Sequence, residues 1–233
     1  MTTANKITLT RICMIPFFIF FASQPMFQLD RETMDYTYQI AFHFPTATVV
    51  ALVLFCMASF TDFLDGYVAR KYNQVTDFGK FVDPLADKLL VTSALVLFVE
   101  QNAMAGWMVC VIIARELIIT SLRVVAANKG RVLAATWTGK VKTCVQIGGV
   151  IVIYLYFILI GAAGSGALDG ALSSLMQAFD SGVGLTFIYV DGAGSSPFLT
   201  IVGWVITLVT IYSGYDYLRK NWDIIKDGAV KEK

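Results

Sequence analysis

The chain has 233 residues, of which 57% are hydrophobic and only 15% are charged. Soluble domains are about 45–50% apolar and about 25% charged, so this composition excludes an ordinary soluble domain and indicates several membrane-spanning helices. The formal net charge of +1 is too balanced to suggest a partner nucleic acid. We expect one all-α domain over residues 1–233 that is integral to a membrane.

Six apolar runs follow one another along the chain and predict six transmembrane helices, because about 20 apolar residues cross the core of a bilayer. The predicted spans are residues 7–22, 45–60, from 79–83 to 99, 103–126, 137–160 and 198–217. The helix of the second span is expected to continue past residue 60. The Gly- and Ser-rich segment 161–197 has no catalytic pattern and is expected to be a variable outer loop, with a short surface helix over 168–179.

The basic residues predict the orientation, because Lys and Arg concentrate on the cytoplasmic side of membrane proteins. With a cytoplasmic N-terminus and six crossings, all of the 18 Lys and Arg residues except Arg31 fall on the cytoplasmic side or half. We therefore expect a multi-pass protein of the cell membrane whose N-terminus, C-terminus and active site face the cytoplasm.

The cysteines and the single histidine limit the possible chemistry. Cys13, Cys56, Cys110 and Cys144 lie far apart in apolar runs and form no CxxC pair, so we expect them to be small buried apolar residues. With His43 as the only histidine, a His-based triad and an HExxH metal site are excluded. Acid–base chemistry must therefore come from carboxylates.

Residues 61–88 contain four regularly spaced aspartates, Asp62, Asp65, Asp83 and Asp87. On helices, positions three or four apart are neighbours, so two facing helices would bring the four carboxylates together. Like charges at a membrane edge repel one another unless a cation lies among them. Carboxylate oxygens suit Mg²⁺ or Mn²⁺, and two such ions can clamp a phosphoryl group.

Small and basic residues lie between these acids. Gly66 and Ala69 allow close approach of a ligand or a second backbone, and Arg70 offers a fork for phosphate oxygens. Some of these residues also have an ordinary structural explanation: Asp83, followed by a proline, is a good helix N-cap, and Arg70 is a typical cytoplasmic anchor. Those explanations do not account for all the spacings together.

The combined spacing, Asp-x2-Asp-Gly-x2-Ala-Arg-x8-Gly-x3-Asp-x3-Asp, resembles the signature of the CDP-alcohol phosphotransferases at every fixed position. These positions are Asp62, Asp65, Gly66, Ala69, Arg70, Gly79, Asp83 and Asp87. The resemblance implies a six-span helical fold, usually a homodimer. It also implies that Asp62, Asp65 and Asp83 bind a pair of metal ions, with Asp87 in the same site as a further ligand or as the general base.

The same resemblance implies a site for the CDP group of one substrate. Its implied lining residues are Asp62, Asp65, Gly66, Ala69, Arg70 and Gly79. The N-terminal pattern Asn-x2-Thr-x2-Arg, formed by Asn5, Thr8 and Arg11, is also similar to the family. It implies that Asn5 and Thr8 contact the nucleotide.

Basic residues form a second group, with Arg115 and Arg123 on the predicted fourth span and Lys140 and Lys142 on the fifth. Arginines within a membrane need a partner, and phosphate oxygens are natural ligands of Arg and Lys. We expect these residues to bind the phosphate of an acceptor in a cavity facing the acids. The alternatives are that the lysines extend to the membrane interface and that Arg115 pairs with Glu116.

The segments ARE at 114–116, LR at 122–123 and GKVKT at 139–143 are similar to the branch of the family whose acceptor is sn-glycerol 3-phosphate. This resemblance implies transfer of the phosphatidyl group of CDP-diacylglycerol to that acceptor, with CMP released, in phospholipid biosynthesis. Inositol phosphate and phosphatidylglycerol are alternative acceptors. A divalent-cation transporter is an alternative from a different class of protein.

Overall fold

The computed structural model describes residues 3–23, 45–72, 77–128, 130–131, 133, 136–164 and 197–223. Within its helices, the side chains of residues 3–7, 45, 62–85, 87, 128, 160–161 and 163–164 are outside this description. The helices are α1 (Thr3–Ala22), α2 (Pro45–Tyr72), α3 (Asp77–Glu100), α4 (Gly106–Asn128), α5 (Trp137–Gly164) and α6 (Pro197–Lys220). Each predicted span coincides with one of them, which confirms the all-helical prediction for the described part of the chain.

The helix ends differ from the predicted ones by a few residues. α1 begins four residues earlier than predicted and continues through Pro16. α2 extends to Tyr72, as expected from its pattern, and so includes the first half of the acidic motif. α5 continues to Gly164, so the predicted outer loop begins later than residue 161. The helix predicted over 168–179 lies outside the described residues.

α4 begins at Gly106 rather than at residue 103 because a turn that ends α3 occupies the intervening residues. Asn102 has a φ of 53°, the left-handed conformation that commonly ends a helix. Its N–H donates to the Val99 carbonyl at 3.1 Å, and the Ala103 N–H donates to the Phe98 carbonyl at 2.8 Å. This pair of bonds is the Schellman motif, which closes α3 before the chain turns back.

A buried aromatic cluster joins α1, α2, α3 and α5. The ring centroids of Phe18 and Phe55 are 5.8 Å apart, and those of Phe18 and Tyr154 are 6.2 Å apart. Phe98 lies 5.1 Å from Tyr154 and 6.3 Å from Phe157. These rings belong to the main hydrophobic core, so four helices share one packing centre.

Side-chain contacts between helix ends show which ends lie together. The Thr138 hydroxyl, at the start of α5, donates to Asp216 Oδ2, near the end of α6, at 2.7 Å. Gln101, after the end of α3, donates from Nε2 to the carbonyl of Ala22, at the end of α1, at 2.7 Å. Only 4, 5 and 8 residues separate α2 from α3, α3 from α4 and α4 from α5. With these connections, the two contacts bring the starts of α1, α3 and α5 together with the ends of α2, α4 and α6, and we call this the polar end of the bundle.

α6 has the pattern of a helix surrounded by lipid. Five of its eight buried residues are small or polar, namely Gly203, Thr207, Thr210, Ser213 and Gly214. Its exposed face is apolar and includes Ile201, Val205, Leu208, Ile211 and Tyr212. This is the reverse of a surface helix in water, whereas small and polar residues at helix–helix contacts are typical of membrane proteins.

Among the described residues, two stretches, Trp137–Leu159 and Pro197–Lys220, are long and apolar enough to cross a membrane. Thr8–Ala22 and Thr46–Thr61 are shorter apolar helices. α4 carries Arg115, Glu116 and Arg123 within its apolar sequence.

The prediction that the four cysteines are buried is wrong. Cys13, Cys56, Cys110 and Cys144 are all exposed on the surface of the helices. The prediction assumed that apolar residues lie inside, as they do in water. On a helix surrounded by lipid, both faces are apolar, so a cysteine has no strong preference for the interior.

Gly149 lets α5 and α6 approach closely, and its replacement tests that contact. A Cβ at this position would lie 2.8 Å from Cγ1 of Ile206, which is buried, whereas a Cβ at the adjacent Gly148 would meet nothing within 4 Å. Gly149→Ala is therefore expected to lower the free energy of unfolding by about 1–3 kcal/mol, the usual cost of overpacking. Thermal unfolding of detergent-purified protein measures the effect, with Gly148→Ala as control. Equal melting temperatures of the two variants would contradict close packing at Gly149.

Candidate functional site

The two halves of the acidic motif lie on consecutive helices at the polar end. Positions 62 and 65 are helical residues in the last part of α2, and positions 83 and 87 are helical residues in the first part of α3. α2 packs against α3, and only residues 73–76 separate them. The predicted metal and nucleotide residues of this motif have side chains outside the described set, as does Asn5, so their roles stay predictions.

The described residues contain no group of three or more His, Cys, Asp or Glu side chains that could hold a metal ion. Among the predicted N-terminal residues, Thr8 and Arg11 are described, and both are buried. They lie on the first half of α1, which packs against α2 and α3. α1 thus places Thr8 at the end of the bundle that also carries the acidic motif.

A hydrogen-bonded chain connects the second half of the acidic motif to α4. Lys88, which directly follows Asp87, donates from Nζ to the Thr120 hydroxyl. That hydroxyl donates in turn to the backbone carbonyl of Glu116 at 2.8 Å. The turn of α3 that carries position 87 is therefore beside the turn of α4 that carries Glu116.

Arg115, Glu116 and Lys142 form a charged cluster between α4 and α5, which we call the basic cluster. Nη1 of Arg115 donates to Oε1 of Glu116 at 3.0 Å, and Nζ of Lys142 contacts the same oxygen. Lys142 is only 7% exposed. A buried cation needs a partner of opposite charge, and here one carboxylate serves two cations, so the cluster carries a net charge of +1.

The pairing of Arg115 with Glu116, which the sequence left as an alternative, is present. Lys142 does not extend away from the bundle, because it is buried and paired with Glu116. Lys140, two residues earlier on α5, is exposed and lies outside the basic cluster. The structure therefore separates two lysines that the sequence treats as a pair.

Arg115 is also held by α6. Its Nη2 donates to the Ser213 hydroxyl at 2.7 Å. A Cβ on Gly214 would lie 2.9 Å from Cγ of Arg115, so only glycine gives the Arg115 side chain this path along α6. The buried Nε of Arg115 has no hydrogen-bond partner among the described residues.

Arg123 lies two turns further along α4 and contacts α6 as well. Its Nε donates to the Tyr217 hydroxyl at 3.2 Å, and its Cζ lies 5.5 Å from the centre of the Tyr217 ring. Tyr217 is almost completely buried, whereas Arg123 is exposed. Both predicted arginines thus lie where α4 contacts α6, but Arg123 is not part of the basic cluster.

Sequence reasoning missed the contribution of α6. Ser213, Gly214 and Tyr217 contact the predicted arginines, and Asp216 accepts a hydrogen bond from Thr138 on α5. One signal was present in the sequence: small and polar residues recur every three or four positions along an otherwise apolar span. This spacing marks the face of a membrane helix that contacts other helices.

Comparison with known proteins identifies the family. The family model for CDP-alcohol phosphatidyltransferases matches residues 1–180, which include the acidic motif and the basic residues of α4 and α5. A Bacillus subtilis protein named CDP-diacylglycerol–glycerol-3-phosphate 3-phosphatidyltransferase is 39% identical over 222 residues, covering 95% of this chain and 96% of the relative. Proteins of the same name from Cereibacter sphaeroides and Rickettsia bellii are each 32% identical, covering 80% and 75% of this chain and 87% and 80% of those relatives. The chain therefore belongs to the CDP-alcohol phosphatidyltransferase family, a family of transferases.

Proposed function

We propose that this chain transfers the phosphatidyl group of CDP-diacylglycerol to sn-glycerol 3-phosphate, forming phosphatidylglycerophosphate and CMP in phospholipid biosynthesis. The names of the relatives that match most of its length support both substrates. The structural observation that carries the proposal is the buried basic cluster beside the turn of Asp87. Its net positive charge suits an anionic acceptor, and the turn of α4 that carries Glu116 lies beside the turn of α3 that carries position 87.

The acceptor's phosphate is assigned to Arg115, Arg123, Lys140 and Lys142. Arg binds phosphate through paired N–H donors and Lys through a point charge. Arg115 and Lys142 are already close together, since both contact Oε1 of Glu116. A phosphate that approaches them meets two cations whose charge one carboxylate only half neutralises.

The acidic positions fit a hard divalent cation, because all four donors are carboxylates and Mg²⁺ and Mn²⁺ prefer oxygen ligands. Asp62, Asp65 and Asp83 would hold two such ions, with Asp87 as a further ligand or as the base beside them. When bound, the ions would offset the negative charge of the pyrophosphate and of departing CMP.

The reaction is assigned to Asp87 as general base. Asp87 takes the proton of the glycerol C1 hydroxyl, and the hydroxyl oxygen forms a bond to the lipid-side phosphorus of CDP-diacylglycerol. The bond from that phosphorus to the bridging oxygen of the pyrophosphate breaks, and CMP leaves with that oxygen. The proton then passes from Asp87 to water. The basic residues contribute by holding the acceptor's phosphate so that its hydroxyl stays beside Asp87.

The nucleotide is assigned to the first part of the motif. Arg70 would bind phosphate oxygens, and Gly66, Ala69 and Gly79 would leave room for the CDP group. Asn5 and Thr8 complete this side of the site from α1. The packing of α1 against α2 and α3 supports that assignment.

The membrane arrangement is also a proposal. All six helices would cross the membrane in one domain of residues 1–233, with both termini and the polar end in the cytoplasm of the cell. The distribution of Lys and Arg supports this orientation, and glycerol 3-phosphate and CMP are soluble species of that side. A homodimer is proposed from the family resemblance.

An acceptor panel tests the proposed function. Purified protein in detergent micelles with CDP-diacylglycerol is expected to release CMP with sn-glycerol 3-phosphate, and not with serine, inositol phosphate or phosphatidylglycerol. EDTA is expected to stop the release, and added Mg²⁺ or Mn²⁺ to restore it. Membranes from cells without the gene provide the background. Release of CMP with another acceptor of the panel but not with sn-glycerol 3-phosphate would contradict the assignment.

A further inference from the structure

α6 touches the predicted arginines at two successive turns. Ser213 contacts Arg115, and Tyr217, four residues later, contacts Arg123. The side chains of Ser213 and Tyr217 are almost completely buried. α6 begins beyond residue 180, where the match to the family model ends. The contacts therefore come from a part of the chain outside the residues that the family model matches.

We propose that Ser213 and Tyr217 are positioning residues that hold the guanidinium groups of Arg115 and Arg123 for the acceptor's phosphate. The proposal rests on the proposed function, since it takes that phosphate as the ligand of the two arginines. Neither residue touches the reacting atoms. Their effect is on the affinity for the acceptor.

Ser213 fixes the orientation of Arg115. The two terminal nitrogens of its guanidinium are held on different helices, Nη1 by Glu116 on α4 and Nη2 by Ser213 on α6. Two anchors on different helices fix the plane of the guanidinium. The absence of a Cβ at Gly214 lets the side chain lie along α6, and the buried Nε–H has no acceptor among the described residues.

Tyr217 acts on Arg123 in a different way. Its hydroxyl accepts from Nε and its ring lies under the guanidinium, so the hydrogen bond occupies the inner nitrogen of the group. The two terminal nitrogens are the pair that binds phosphate as a fork. Holding Arg123 by its Nε and its face leaves that pair for the ligand. It also reduces the conformational entropy that binding would otherwise cost.

Two variants remove the hydroxyls with little change of shape, and each has a matched control on the same helix. Tyr217→Phe keeps the ring under Arg123, and Tyr215→Phe makes the same change on an exposed residue. Ser213→Ala removes the hydroxyl that accepts from Nη2 of Arg115. Thr210→Val removes a buried hydroxyl one turn earlier that donates to the Ile206 carbonyl within α6.

The measurement is the KM for each substrate with the purified full-length enzyme. Ser213→Ala and Tyr217→Phe are each expected to raise the KM for sn-glycerol 3-phosphate about 3- to 10-fold, the effect of losing one ordinary hydrogen bond. The KM for CDP-diacylglycerol is expected to stay unchanged, and both controls to keep wild-type values for both substrates. Because KM does not depend on the amount of folded enzyme, a lower yield of a variant does not obscure the result.

Three outcomes overturn the proposal. An unchanged acceptor KM in both variants would show that the contacts are structural only. A parallel rise in both KM values, or an equal rise in the controls, would show a general disturbance of the bundle. A wild-type enzyme that releases no CMP with sn-glycerol 3-phosphate would overturn the proposed function itself, which the wild-type assay distinguishes from failure of the α6 assignment.

Discussion

Replacing Asp87 with asparagine is expected to lower the rate of CMP release by about 10²- to 10⁴-fold, the usual contribution of a general base. Asparagine has the same shape but does not take up the proton of the acceptor hydroxyl. Binding of CDP-diacylglycerol is expected to survive, because the nucleotide is assigned to other residues of the motif. Initial rates of CMP release and equilibrium binding of the CDP-lipid, measured on the same preparation, check both expectations.

Asp77→Asn is the matched control for this experiment. It removes the same charge from the same helix, at the first residue of α3, and it lies outside the eight positions of the motif. We expect it to retain activity. Loss of CDP-lipid binding in Asp87→Asn would contradict its assignment as the base and would place Asp87 among the metal ligands.

Removing the carboxylate of Glu116 is expected to lower the free energy of unfolding by about 3 kcal/mol, because two cations then lose their shared partner. Lys142 and Arg115 are both largely buried, so water solvates neither charge well. In the double variant Glu116→Gln/Lys142→Met one of the two cations is also removed. The double variant is therefore expected to be more stable than the sum of the single changes implies. Thermal unfolding of Glu116→Gln, Lys142→Met, the double variant and the wild type measures this coupling.

Lys140→Met provides the control for stability. It makes the same substitution two residues away, at an exposed lysine of α5, and is expected to change the free energy of unfolding by less than about 0.5 kcal/mol. Additive effects of Glu116→Gln and Lys142→Met would contradict the shared contact. In that case Lys142 would be held by packing rather than by the carboxylate.

The fold was largely predictable because the dominant signal in a membrane protein is the length of its apolar runs. Each of the six predicted runs is a helix in the described part of the chain, and the continuation of α2 to Tyr72 followed from its pattern. The side that each helix buries was not predictable in the same way. Because apolar residues face both the lipid and the core, an apolar run does not show which of its residues are buried. Cys56, predicted to be buried, is exposed.

The candidate site was predictable only where its residues are close in sequence. Arg115 and Glu116 are adjacent, and their pairing was among the stated alternatives. The burial of Lys142 depends on Glu116 from another helix, and the anchoring of Arg115 depends on Ser213, 98 residues further along the chain. Such contacts depend on which helices are neighbours, and apolar patterning does not specify that. The roles of the eight motif positions remain predictions.

The placement of the polar end has a consequence for how this chain can vary. α5 ends at Gly164 and α6 begins at Pro197, at the end of the bundle opposite the acidic motif and the basic cluster. A change of length between them would leave α6 in the same register, because Ser213 and Tyr217 hold it against α4 and Asp216 holds it against α5 at the other end. This segment is therefore where insertions would accumulate during evolution without cost to the reaction. It is also the natural position for an epitope tag or a fluorescent reporter in a working enzyme.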